Sequence, residues 1–146
     1  MVDVSEKPAT VREAVARGRV RMAPATLRLL RSGKAAKGDV ITTAHIAGVQ
    51  AAKRTSEWIP LAHPLLLDQV SLTFRFIGRP AAVAIESRVR TTGRTGVEME
   101  ALTAVAAAAL TLYDMLKAAD RGMVIGEIAL WEKRGGRSGT WSRSKR

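Results

Sequence analysis

The sequence predicts an α+β sandwich, an antiparallel sheet covered by helices, and three observations predict it. First, Val70, Leu72, Phe74 and Phe76 alternate with Ser71, Thr73 and Arg75, the period-two pattern of a strand with one buried face. Second, Gly78-Arg79-Pro80 separates that run from Val83, Ile85, Ser87 and Val89, which continue as its hairpin partner. Third, a long helix from about Val97 to Ala119 follows the hairpin, and Val124 to Lys133 then reads as a final strand. The 146 residues suffice for one domain, and 47% apolar content can build its core. Much of that content is alanine and only 4% is aromatic, so the elements should pack closely rather than around bulky rings.

The elements are justified in chain order. Val11 to Met22 alternate loosely, with Val11, Val15 and Val20 among arginines, and read as an edge strand. Pro24 opens a helix through Leu27, Leu29 and Leu30, and Gly33 closes it. Asp39 is placed to cap a second helix, with Ile41, His45, Val49 and Ala52 at helical intervals, fading near Glu57. Ile59 to Leu65 cannot be regular structure, because Pro60 and Pro64 remove donors and fix backbone angles. After the hairpin, Thr91-Thr92-Gly93-Arg94-Thr95-Gly96 is a connector. The resulting order is βαββαβ with a doubled first helical connection, which is the ferredoxin-like arrangement. Phe74 and Phe76 then belong in the core, leaving no exposed aromatic platform. Leu102, Val105, Leu110, Leu112 and Met115 with the alanines make the long helix apolar all round. Such a helix must be covered on every side, by the sheet, by the other helices and by a second subunit.

Composition narrows the chemistry. The net charge of +11 predicts polyanionic company: nucleic acid, an anionic membrane or a phosphorylated small molecule. Cysteine is absent, which excludes disulfides, thiolate metal sites and cysteine nucleophiles, and two histidines cannot build a structural zinc domain. Arg134, Arg137, Arg143, Lys145 and Arg146 crowd the end without an acid among them, which divides the chain into a domain over 1–136 and a basic, flexible tail over 137–146. The N-terminus has no apolar signal-like run, and Ala101 to Tyr113 falls short of the roughly 20 residues that a membrane span needs. A soluble, cytoplasmic protein without a membrane partner is expected.

Polar groups gather at the two ends of the long helix: Glu98 and Glu100 at the start, Asp114 and Lys117 near the finish. Glu100 and Asp114 are about 40° apart around the axis but about 21 Å apart along it, so one chain cannot bring both to one small molecule. Asp114 and Lys117, at i and i+3, can touch, and the plainer reading is a helix-end ion pair with acids complementing the opposite dipole. His63 stands in the proline-stiffened loop, either acting on a ligand or simply bonding backbone, whereas His45 on an apolar helix face reads as structural. Lys37 and Lys53-Arg54 lie near helix termini, where cations suit the dipole or a phosphate. The Thr91–Gly96 loop before a helix resembles a phosphate cradle but lacks the G-x-x-x-x-G-K-[ST] pattern.

Several strings together carry a family likeness: Lys53-Arg54-Thr55-Ser56-Glu57, Ile59-Pro60-Leu61-Ala62-His63-Pro64-Leu65, and Thr91 through Gly96 to Thr103. Leu112-Tyr113-Asp114-Met115 to Lys117 and Lys133-Arg134-Gly135-Gly136 complete them. In order and without large gaps, from about Met1 to Trp141, the chain closely resembles the MoaC family of molybdenum-cofactor biosynthesis, the cyclic pyranopterin monophosphate synthases. The resemblance implies conversion of 3′,8-cyclo-7,8-dihydro-GTP to cyclic pyranopterin monophosphate with release of pyrophosphate. It also implies a ferredoxin-like subunit in a hexamer of three dimers, with sites between subunits, so that Glu100 and Asp114 meet from different chains.

Carried over by position, the resemblance makes Asp114, Lys117 and Lys37 catalytic. It makes Leu61, Ala62, His63, Met99, Glu100, Lys53 and Arg12 substrate-binding. Ala62 departs from the pattern, since many relatives have cysteine there, and a thiol role is therefore excluded. No resident cofactor or metal is implied, and Mg²⁺ would enter only with the triphosphate. A basic ferredoxin-like module that binds RNA is the rival reading, with the tail as its electrostatic arm.

Overall fold

The computed structural model describes residues 1–144; Lys145 and Arg146, the last cations of the expected tail, lie outside the described residues. The elements run β1 (Thr10–Arg21), α1 (Pro24–Ser32), α2 (Val40–Lys53), α3 (Thr55–Trp58), β2 (Gln69–Gly78) and β3 (Ala81–Gly93). Then come α4 (Glu98–Leu116), β4 (Val124–Arg134) and a short β5 (Trp141–Ser142). The sheet has the order β2-β3-β1-β4-β5 and every neighbouring pair is antiparallel. With α2 and α4 on one face, this is the ferredoxin-like α+β sandwich that the element order predicts.

The local signals work as read. Pro24 stands at the start of α1, and Gly33 ends it in the left-handed conformation at φ 68°. The Asp39 carboxylate accepts from Thr42 N at 3.0 Å and Thr42 Oγ1 at 2.7 Å, capping α2. That helix does not run unbroken to Glu57: it ends at Lys53, and α3 adds a separate turn.

β1 corrects the expectation of an edge strand, for it lies in the middle of the sheet between β3 and β4. Ala14, Ala16 and Val20 point into the core, while Arg17 and Arg19 point to the face without helices. There Arg17 meets Glu86 at 2.7 Å and Arg19 meets Glu127 at 3.4 Å. Arginines thus crowd a central strand because neighbouring strands supply their counter-charges.

Phe76 is a second correction. Leu72 is buried and Phe74 packs on the core, but Phe76 is 37% exposed on the outer strand, with the Arg31 guanidinium 5.6 Å from its ring centre. β4 departs from regular alternation as well. Its register against β1 shifts twice, between Val15 and Ala16 and between Arg17 and Arg19, and Glu127 adopts φ 57°. The bulges let Trp131 reach the open face, where Arg17 stacks 4.5 Å from its ring centre.

The core lies between the sheet and α4, which meets β1, β3 and β4 on one side and α2 on the other. By length and hydropathy α4 would reach across a membrane, but it is mostly buried inside the protein, as a core helix is. Its burial is not complete all round: Leu110 is 55% exposed. Of the stretch read as a tail, Trp141–Ser142 pair with Lys133 and Glu132 as β5.

Candidate functional site

The C-terminal end of α4 carries the first cluster. Asp114 lies in the last turn of the helix, and Lys117, three residues on, reaches its Oδ1 with Nζ at 2.7 Å. The loop between α1 and α2 brings Lys37 to the same carboxylate: its Nζ donates to Asp114 Oδ2 at 2.6 Å and to the Asp114 carbonyl at 3.1 Å. All three side chains are about half exposed, open to a ligand from solvent. Hydrogen bonds from Lys117 and then Lys37 hold the Asp114 carboxyl down to a pKa of about 2. At neutral pH it is therefore an anion that fixes two ammonium groups.

The opposite end carries a second group. Gly48 of α2 lies against Ala104 of α4, while Lys37 before α2 touches Asp114 at the far end of α4. The two helices consequently run in opposite directions, and Lys53, the exposed last residue of α2, belongs with the start of α4. Glu100 is 3% exposed there. Burial, with some repulsion from Glu98, raises its pKa to about 7. Beside it Met99 stays partly exposed.

Leu61 and His63 border a cleft of about 350 Å³ with Thr95, Met1, Val2, Val4 and Lys7. Ala62, between them, is half-buried. The Arg12 Nε donates to the carbonyl of Gly93, the last residue of β3, at 2.8 Å.

The structure thus gathers Lys37, Asp114 and Lys117 into one cluster. It places Arg12, Lys53, Leu61, Ala62, His63, Met99 and Glu100 around the other end of the molecule. The two groups are not joined within one chain, as the axial separation of about 21 Å requires. Sequence reading missed the N-terminal segment as a wall of the His63 cleft, held by Arg94 Nη1 donating to the Ser5 carbonyl at 2.9 Å. That segment is irregular and polar, so no periodicity marks it. Among the described residues, no group of three acidic or histidine side chains converges to hold a metal ion. The open sheet face is not a free basic platform, since Arg17 covers Trp131 and Glu86 and Glu127 neutralise two of its arginines.

Fold and site together define a ferredoxin-like α+β protein with acid–base groups at both ends of one core helix, set among cations fit for a phosphorylated ligand. The model of the MoaC family matches residues 1–136. A cyclic pyranopterin monophosphate synthase of Thermomicrobium roseum is 64% identical over 143 residues, 98% of this chain and 86% of the relative. One from Heliobacterium modesticaldum is 59% identical, covering 99% of this chain and 91% of its own. A cyclic pyranopterin monophosphate synthase 1 of Mycobacterium tuberculosis is 60% identical over 99% of this chain and 84% of its own. The chain belongs to the MoaC family.

Proposed function

We propose that this chain is a lyase of molybdenum-cofactor biosynthesis that converts 3′,8-cyclo-7,8-dihydro-GTP to cyclic pyranopterin monophosphate and pyrophosphate. The observation that carries the reading is the Lys37–Asp114–Lys117 cluster, in a chain whose close relatives bear that synthase name. The rearrangement moves protons on the base and ribose, and it closes a cyclic phosphate as pyrophosphate leaves. Asp114, held ionised, is a weak base; its work is to fix the two Nζ groups, with Lys117 exchanging the proton with substrate. Lys37 offsets charge growing on the departing pyrophosphate, and Lys53 and Arg12 hold the triphosphate. His63, Leu61, Ala62, Met99 and Glu100 seat the pterin and ribose. No metal is assigned to the chain's own residues, and Mg²⁺ would travel with the triphosphate.

The site is shared between subunits in this reading, which also places the protein in the cytoplasm. Residue 107 is midway between Glu100 and Asp114, and Ala107 lines an apolar groove of about 280 Å³ with Trp58, Leu110 and Ala47. A two-fold axis through that groove would lay α4 against its copy in the opposite direction and set Glu100 of each chain toward Asp114 of the other. Three such dimers make the hexamer that family resemblance implies. The first test supplies purified protein with the enzymatically prepared cyclised triphosphate and follows pyrophosphate and pterin. Wild-type protein should form both products. Asp114→Asn should form neither while keeping its circular dichroism and nearly its Tm, because Asp114 is exposed. Absence of product from folded wild type would overturn the assignment.

A further inference from the structure

We infer that the double glycine after β4, Gly135-Gly136, is a positioning device for the Arg12 guanidinium, an inference that rests on Arg12 holding substrate. Both glycines have left-handed backbones, at φ 87° and φ 71°. Neither has room for a side chain, and what blocks each one differs. A Cβ on Gly135 would fall on the carbonyl oxygen of Val11 and lie 3.3 Å from the Arg12 Cα. A Cβ on Gly136 would fall on Arg12 Nη1 and lie 3.0 Å from Cζ. The turn therefore lies flat along the start of β1, first over its backbone and then over the head of its arginine.

Arg12 is gripped from two directions as a result. Its Nε donates to the Gly93 carbonyl at 2.8 Å, and the Gly136 backbone closes the side of Nη1. A long side chain at a strand end loses much rotamer freedom when it is held this way. A guanidinium fixed before substrate arrives binds an anion at lower entropic cost than a free one, and its planar donors keep one orientation. β1 and the β4 exit are more than a hundred residues apart in sequence, so only the sheet order, with β1 beside β4, brings this turn to this arginine.

At Gly136 the obstacle is the movable end of a side chain, so Gly136→Ala should displace the guanidinium rather than unfold the turn. Steady-state kinetics with the cyclised triphosphate test this in a double-mutant cycle. Gly136→Ala is expected to raise KM about tenfold, the size of one lost hydrogen bond to a charged group, with kcat within about twofold. Arg12→Ala should raise KM at least as much, and adding Gly136→Ala to it should change KM no further. Gly139→Ala supplies the control for backbone strain: φ is 63° there, nothing lies within 4 Å, and KM should stay at the wild-type value. Additive effects in the cycle, or an unchanged KM in Gly136→Ala where Arg12→Ala raises it, would overturn the positioning role. An unchanged KM in Arg12→Ala would instead remove Arg12 from substrate binding, a different failure with a different signature.

Discussion

Glu100 is the residue whose environment says most. In an unfolded chain its carboxyl ionises near 4.5, and in the fold burial moves that to about 7. Between those values the folded state retains a proton that the unfolded state has released, so stability falls as pH rises from about 4.5 to 7 and levels off above. Glu100→Gln removes the penalty. It should stabilise the protein by on the order of 3 kcal/mol at pH 8 and by almost nothing at pH 4, where both states are protonated. Urea unfolding at the two pH values checks this, and an equal gain at both would sink it. The sequence marks Glu100 as polar on an apolar helix, but not as buried, because burial depends on what covers the first turn. The same limit applies to Lys37: 77 residues separate it from Asp114, so the contact follows from the fold and spacing cannot show it. Asp114 with Lys117 was legible, since three residues on a helix fix the distance.

At the scale of elements, the packing of α2 on α4 turns on one position. A Cβ on Gly48 would come 2.5 Å from Leu72 Cδ2 and 3.0 Å from the Ala104 carbonyl, one partner packed and the other backbone. Gly48→Ala should therefore destabilise the fold by about 1–3 kcal/mol despite its better helix propensity, with a lower Tm by calorimetry. A Tm equal to or above wild type would mean that the helices can separate at little cost. The helices themselves were legible through Pro24, Gly33 and Asp39, because caps are local chemistry. Strand neighbours were not. Arginine-rich β1 reads as an edge from its own residues, yet Glu86 on β3 and Glu127 on β4 supply the charges that let it sit centrally. Phe76 fits the alternation of β2 but lies on the outermost strand, at its end, where less covers it.

For the whole molecule, the proposed sharing of the site between chains makes a strong demand. If each site takes Glu100 from one chain and Asp114 from another, two inactive proteins can repair each other. Glu100→Ala and Asp114→Asn, each inactive alone, should regain a fraction of wild-type turnover after being unfolded together and refolded. In a mixed dimer one site inherits both lesions and the other inherits none. Turnover no higher than the sum of the separate proteins would reject sharing between chains. Arithmetic on one helix, 14 residues and about 21 Å, shows only that one chain cannot bring the two together, and the family resemblance supplies the sharing between chains. What the sequence could not convey is where the exposed apolar groove lies, since Trp58, Ala47 and Leu110 come from three helices that only the fold aligns.

The irregular course of β4 has a consequence for behaviour in crowded solution. A sheet of this order ends in two rims, and a rim with evenly spaced, unpaired amides invites strands from other molecules to add on. β5 pairs only with Glu132 and Lys133, so the rest of β4 is one of these rims, and there the two register shifts and the turned backbone at Glu127 spoil that spacing. Nearby, Arg143 occupies the Leu130 and Trp131 carbonyls at 2.8 Å each. A strand from another molecule should therefore pair poorly along this rim, and any sideways growth of the sheet is expected at β2, whose pairing with β3 is regular.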